Sequence, residues 1–177
     1  MRTERWFQYF FRELPLGLVE ILTNWMPDGP VSCRVRGFLS RPFFKKCGKN
    51  FTYGKNVHFV GPHGIEIGDD VYLAAGCWLI GSGGIVIEDE VIFGPYAIVA
   101  AGSHKFKNGS ARFAGAKRSP VKIGRGSWIA AHAMVAPGVS IGVGNLIAAN
   151  AVVTHDSPPN VVMGGVPAKI LKKRIDD

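Results

Sequence analysis

The sequence predicts a parallel β-helix, and three observations carry that prediction. Ile123, Ile129, Val135, Ile141, Ile147 and Val153 fall at every sixth residue. Each is followed by a small or short residue (Gly124, Ala130, Ala136, Gly142, Ala148, Thr154), and four places on by Ser127, Ala133, Val139, Asn145, Ala151 and Ser157. Glycine is abundant, 23 of 177 residues, as a chain full of corners requires. An amphipathic helix repeats its apolar residues at three and four, and a lone strand alternates and then turns. A fixed period of six marks a solenoid in which each hexad is one short strand and one corner. Side chains two apart on a strand share a face. The aliphatic residue and the small residue two places before it therefore both point inward. Three hexads close one triangular coil, which sets Ile123 under Ile141 and Ile129 under Ile147. Each coil buries its aliphatics only against its neighbours.

The chain in order divides into a cap over 1–46, a solenoid over 47–158 and a tail over 159–177. Trp6, Phe7, Tyr9, Phe10, Phe11 and Leu14 give an aromatic helical segment. Pro15, Gly17 and the run Pro27-Asp28-Gly29-Pro30 are expected to break it into pieces. A further piece, 31–47, interleaves Val31, Val35, Phe38, Leu39, Phe43 and Phe44 with Arg34, Arg36, Arg41, Lys45 and Lys46. Two readings of the cap are compatible: a cover for the open end of the solenoid, and a basic amphipathic element on an anionic membrane face. Hexads begin at Cys47. Phe59 opens one lengthened by two residues, and a second two-residue excess falls at Gly83-Gly84. Ile67, Leu73 and Leu79 open one coil, and Ile87, Phe93 and Val99 the next. The repeat breaks at Ser103. Residues 103–120 leave the solenoid as a loop rich in Gly, Ser, Lys and Arg, and long loops in compact folds are often functional. The repeat resumes near Val121 and stops at Pro158-Pro159. The tail reads as a crossing segment and a short basic helix.

The net charge of +8 is unevenly spread. Residues 1–50 carry nine basic and four acidic side chains, 51–103 one and six, 104–125 seven and none, and 126–177 four and three. A basic block beside a solenoid points to an anionic ligand or surface; no nucleic-acid partner is expected. Cys33, Cys47 and Cys77 lack paired spacing, which suits a reducing, cytoplasmic compartment. Cys77 holds a small inward position and is expected to be a buried thiol. The beginning of the chain lacks the pattern of a signal peptide, and no stretch is long and apolar enough to span a bilayer.

His104 is the first candidate for chemistry. It ends the run AIVAAGSH and opens the basic excursion. An imidazole titrates near neutral pH and can take a proton from an alcohol, although a single His also serves structural roles. Ser103 makes a poor nucleophile for it, because strand neighbours face opposite ways. The tail GGVPAK, followed by Lys172, Lys173 and Arg174, sets cations at the solenoid end. They read either as a solvated face or as a site for ligand phosphates.

The hexads, the GSH before the excursion and the tail GGVPAKILKKR together resemble the hexapeptide-repeat acyltransferases, over roughly 47–175. The nearest resemblance is to sugar O-acetyltransferases of the galactoside, maltose and colanic-acid kind. The resemblance implies a left-handed coil, against the usual right-handed crossover, and a homotrimer with acetyl-CoA lying between neighbouring subunits. It implies that His104 acts as general base on a sugar hydroxyl, with direct attack on the thioester. It gives Ala131, beside Trp128, a backbone N–H for the acyl oxygen. It assigns contacts with the carrier to Ala149, Thr154, His155, Lys169 and Lys172. The chain departs from the family at Lys105, where relatives often have Pro or Asp. It departs again at His155, where relatives have Lys, and at Leu73 to Cys77, which lacks an acceptor-binding Asn. Acceptor choice therefore does not transfer. No metal is expected: the zinc hydratases of this fold place a lone His before an H-x4-H pair, and here His58 and His63 come first.

The expected function is acetyl-CoA-dependent O-acetylation of a carbohydrate, with a surface-polysaccharide precursor among the candidate acceptors. The basic segment 105–118 is expected to shape the acceptor site. The rivals are a nucleotide-sugar N-acyltransferase or antibiotic acetyltransferase of the same fold, and a solenoid that only scaffolds.

Overall fold

The structure is a computed structural model and describes residues 6–175. The first five residues of the cap and the last two of the tail lie outside the described residues. The hexads form three parallel sheets that run the length of a triangular solenoid. On the first face Ile67, Ile87, Ile123 and Ile141 stack in register. On the second, Leu73, Phe93, Ile129 and Ile147 do so. On the third, Phe59, Leu79, Val99, Val135 and Val153 do so. All are buried, as are the small inward residues Ser127, Ala133, Val139, Asn145, Ala151 and Ser157. The chain forms a left-handed parallel β-helix, as the repeat and the resemblance led us to expect.

The inward polar residues are satisfied by one another. Asn145 Nδ2 donates to Ser157 Oγ at 2.7 Å and to the Pro158 carbonyl at 2.9 Å, while its Oδ1 accepts the Val161 N–H at 2.8 Å. Ser127 Oγ donates to the Gly142 carbonyl at 3.0 Å and accepts the Asn145 N–H. This ladder lets hydrophilic residues hold core positions without an unmet hydrogen bond. Cys77 is fully buried and donates to the Gly94 carbonyl, and burial pushes its thiol up to about 11.

The N-terminal end is capped. A π-helical turn Tyr9–Glu13 leads into helix α1 (Leu14–Thr23), and helix α2 (Pro30–Ser40) follows. Pro15 and Gly17 do not break the first helix. Pro15 follows directly on the π-helical turn, whose wider bonding, with the Leu14 N–H donating to the Tyr9 carbonyl, carries the helix past a residue that lacks an N–H. Leu16, Phe44, Phe51, Tyr53 and Phe59 plug the first coil. Gly37 lets α2 rest directly on that coil: a Cβ there would lie 1.9 Å from the Phe51 carbonyl oxygen. Arg36, fully buried, ties the cap together by donating to Asp28 Oδ1 at 2.7 Å, the Met26 carbonyl at 2.7 Å and the Thr23 carbonyl at 3.2 Å.

The tail differs from the helix expected of it. Val161–Gly165 and Ala168–Lys173 form an antiparallel hairpin. The first strand pairs parallel with Leu146–Ile147 and so extends the second sheet. An isolated helix of one or two turns is marginal in water. A strand laid on the open sheet edge satisfies a row of backbone groups at once. The excursion also differs from an irregular loop: Gly102–His104 pairs antiparallel with Ala116–Arg118.

Glu20 faces the solenoid with its side chain 14% exposed, and its Oε2 lies 3.4 Å from His58 Nδ1. Desolvation outweighs a hydrogen bond from the Phe59 backbone N–H and raises its carboxyl to about 7. The folded state thus keeps a proton that the unfolded chain releases near the ordinary carboxylate value. The stability this proton linkage supplies is fully present below that value and is lost as pH rises through about 7. Glu20→Gln imitates the protonated acid at every pH. It is expected to raise Tm by roughly 3–6 °C at pH 8, with the gain shrinking toward pH 5, as read by thermal melts across that range.

Candidate active site

His104 is held by the excursion hairpin. The ladder of the third face continues through the Ala101 N–H, which donates to the Ile80 carbonyl at 2.9 Å, and then the chain leaves the coil. The paired register is Gly102 with Arg118, Ser103 with Lys117 and His104 with Ala116. Further bonds bracket these pairs: the Ser119 N–H to the Ala101 carbonyl and the Lys105 N–H to the Gly115 carbonyl, both at 3.0 Å. Beyond them Lys107 and Ser110 exchange two backbone bonds around Asn108 and Gly109, both at positive φ. That is a two-residue type I′ turn, for which Asn-Gly is the strongest local signal. The Asn108-Gly109 pair was therefore the mark of a hairpin inside a segment read as loop. His104 is exposed, and among the described residues no side-chain hydrogen bond fixes its ring.

The two-residue excess at Gly83-Gly84 has a task here. A Cβ on Gly83 would lie 1.7 Å from the Ala101 carbonyl oxygen and 3.0 Å from the Ser119 N, at the root of the hairpin. The enlarged corner of one coil thus seats the excursion of the next.

The remaining candidates fall on other surfaces. Trp128 projects from the second face, 49% exposed. In its outward row follow Leu146, Val162 and, on the tail hairpin, Lys172. Lys169 pairs with Gly164 on the same hairpin. Ala131 and Ala149 lie one coil apart at the corner between the second and third faces, where the Asn150 N–H donates to the Ala131 carbonyl at 3.0 Å. Among the described residues no backbone acceptor takes the Ala131 N–H. Thr154 and His155 follow the last strand of the third face, with Thr154 Oγ1 2.9 Å from His155 Nδ1. They share the corner between the third and first faces with the excursion. One chain therefore brings together Trp128, Ala131, Ala149, Lys169 and Lys172 on one side, and His104, Thr154 and His155 on the other. The third face lies between the two groups.

The charge is distributed to match. On the first face and its corners, cations meet carboxylates: Lys45 with Glu66 at 2.7 Å, Lys122 with Glu88 at 2.7 Å and Arg125 with Glu90 at 2.8 Å. Lys122 and the Arg125 N–H also hold the Glu88 carboxyl below its usual range. Among the described residues none of Lys105, Lys107, Arg112, Lys117 and Arg118 has such a partner. Among those residues, too, no group of three or more His, Cys, Asp or Glu could hold a metal ion.

Comparison with known proteins agrees with this architecture. The family model described as bacterial transferase hexapeptide (six repeats) matches residues 120–155. The Escherichia coli (strain K12) protein WcaF, named as a colanic acid biosynthesis acetyltransferase, is 32% identical over 152 residues, covering 86% of this chain and 81% of the relative. The chain belongs to the hexapeptide-repeat acetyltransferases. A maltose O-acetyltransferase from Clostridium difficile 630 superposes with a TM-score of 0.83 at 27% identity, covering 96% of this chain and 89% of that one. A hexapeptide-repeat acetyltransferase from Vibrio cholerae O1 biovar eltor, solved with acetyl coenzyme A, does so with a TM-score of 0.80 at 27% identity, covering 92% and 86%. The chain is accordingly an acyltransferase.

Because Gly83 leaves no room for a side chain, Gly83→Ala is expected to displace the hairpin root. Hydrogen exchange at the Lys105 and Ser119 amides should quicken by about tenfold or more, while amides of the stacked hexads keep their protection.

Proposed function

We propose that this chain transfers the acetyl group of acetyl-CoA to a hydroxyl of a carbohydrate, with His104 as general base. The observation that carries the reading is the placement of His104: an exposed imidazole on a paired strand, at the point where the chain leaves the solenoid, surrounded by unneutralised cations. The relatives named for maltose and colanic acid, and the neighbour solved with acetyl coenzyme A, support the substrate classes.

The chemistry follows from the residues. His104 takes the proton of the acceptor hydroxyl as its oxygen attacks the thioester carbonyl. The Ala131 N–H donates to the carbonyl oxygen as negative charge develops there, a role that needs no side chain. The C–S bond breaks, and the imidazolium returns its proton to the leaving thiolate. No acyl-enzyme is required, and Ser103, facing away from His104 on the same strand, takes no part. Lys169, Lys172, Thr154 and His155 suit the carrier's phosphates, and Ala149 leaves room for its pantetheine arm.

The division of the site supports assembly with further copies of the chain, which we take to be a homotrimer. His104 and Ala131 flank the third face from opposite edges, so a neighbouring copy must supply one of them. The outward rows of the second and third faces are largely apolar: Tyr72, Ile92 and Trp128 on one, Trp78, Ile98 and Met134 on the other. Such rows suit burial against a second copy.

The cap supports a further partner, an anionic membrane on the cytoplasmic side. Leu14, Leu18, Ile21, Leu22 and Trp25 are between 42% and 80% exposed along one side of α1 and its C-terminal end. The only charged residue of α1, Glu20, is turned inward. No described helix is long and apolar enough to cross a membrane, whereas an apolar helix face flanked by cations lies in the interface. The basic segment 41–46 runs beside the aromatic turn, where Arg12 Nη1 donates to the Phe44 carbonyl at 3.1 Å.

His104→Ala is expected to keep the wild-type Tm and lose acetyl transfer by roughly 10²–10⁴-fold, measured as CoA release with sugar acceptors; full turnover would remove His104 from the reaction. For the membrane, cosedimentation with vesicles containing phosphatidylserine, and not with neutral phosphatidylcholine vesicles, is expected. Leu18→Glu combined with Ile21→Glu should abolish it, and binding unaffected by that pair would exclude the α1 face as the contact.

A further inference from the structure

The hairpin register sorts the side chains around His104. Residues directly opposite share a face, and so do residues two apart. One face of the hairpin therefore presents Gly102, His104, Ala116 and Arg118, and the other presents Ser103, Lys105 and Lys117. On the first face, the two functional side chains sit diagonally, and the two smallest side chains occupy the other diagonal. Gly102, opposite Arg118, and Ala116, opposite His104, leave a slot between the imidazole and the guanidinium. Diagonal partners on antiparallel strands lie about 7–8 Å apart at the backbone, a separation that one sugar residue spans.

We infer that this slot is an anion-reading acceptor subsite. Arg118 binds a phosphate or carboxylate on the sugar whose hydroxyl is presented to His104. The inference rests on His104 as the base and adds the chemical class of the acceptor. Arg118 is a specificity residue, which binds the acceptor away from the reacting atoms. Three observations favour this over a solvated surface cation. Segment 104–125 contains no acidic residue, and no ion pair among the described residues occupies Arg118, unlike Lys45, Lys122 and Arg125. Arg118 stands on the paired stem, bracketed by the Ser119–Ala101 and Lys105–Gly115 bonds, and away from the Asn108-Gly109 tip. A planar guanidinium on a fixed strand can hold an oxyanion in bidentate fashion. Lys105 and Lys117, on the other face, raise the local potential without entering the slot.

The test compares glucose with glucose 1-phosphate and with glucuronic acid as acceptors for acetyl-CoA-dependent transfer, with binding of each measured by calorimetry. The wild-type KM for at least one charged probe is expected to lie about tenfold or more below that for glucose. Arg118→Gln should erase that preference by raising the KM of the charged probe toward that of glucose, and Arg118→Lys should recover part of it. Lys105→Gln removes the same charge from the opposite face and should leave the preference in place. A wild-type protein that neither prefers nor binds the charged probes overturns the inference. So does a Lys105→Gln variant that loses the preference as fully as Arg118→Gln. Which of the two charged probes wins tells a phosphate acceptor from a carboxylate one. His104→Ala separates the two layers of argument. It should bind the charged probe as the wild type does while losing turnover. If it keeps turnover, the base is reassigned, and the Arg118 binding comparison still decides whether the subsite exists.

Discussion

Everything in this molecule depends on the close vertical approach of one coil to the next. Parallel strands lie about 4.8 Å apart, so each inward side chain rests on the one below and each corner fits beneath the corner above. Ile123 on Ile87 and Ile141, and Ile129 on Phe93 and Ile147, are the unit contacts. Some approaches leave no slack: a Cβ on Gly83 would enter the backbone at the hairpin root, and one on Gly37 would drive the cap helix into the first coil. The cap, the corner enlargements and the excursion are all departures that this stacking has to accommodate. It accommodates them only where a glycine or an added residue makes room.

That constraint explains what could be read directly from the residues. The period of six, the inward small residues and the register of the stacked aliphatics follow from side-chain alternation alone. The break at Ser103 was equally legible, because residues 103–120 cannot occupy a hexad. His104 could be singled out because it stands at that break. Other features depend on tertiary competition. The tail reads locally as a short basic helix, and it becomes a hairpin because the Leu146–Ile147 strand offers an unpaired edge. Pro15 looks like a break and sits instead where a helix tolerates it. Positive φ at Asn50, Asn56 and Asp70 is what those residues favour, whereas at Glu90, Tyr96 and His132 the stack imposes it. Tyr96 and His132 then stack ring on ring at 5.1 Å. Asn108-Gly109 is a local hairpin signal that lies within a segment rich in other loop-forming residues.

The site itself was legible only in parts. Sequence order sets His104, Trp128 and Lys172 along one line, and the coil then distributes them around a triangle. Whether two of them meet depends on which face a neighbour covers, and a single chain holds no record of that. The division between an imidazole on one edge of the third face and an open amide on the other is a property of the winding. In the proposed assembly, a second copy laid along the third face would enclose the space between these two edges, so the apolar outward rows and the divided chemistry would serve one arrangement.

Charge then separates what stacking cannot. The first face neutralises its cations with carboxylates drawn from neighbouring coils, as in Lys122 with Glu88 and Arg125 with Glu90. These pairs are exposed and contribute little stability; their effect is to neutralise the cations of that face. The excursion has no acid to meet its cations. A hairpin leaving the solenoid escapes the coil-to-coil register that would bring Asp69, Asp89 or Glu90 alongside it. The same departure that lifts His104 clear of the stack therefore also keeps the charge beside it unpaired. Within the hexads Lys122 and Arg125 each meet a carboxylate from the coil before, so in this chain the unpaired basic surface stands where the backbone leaves the stack.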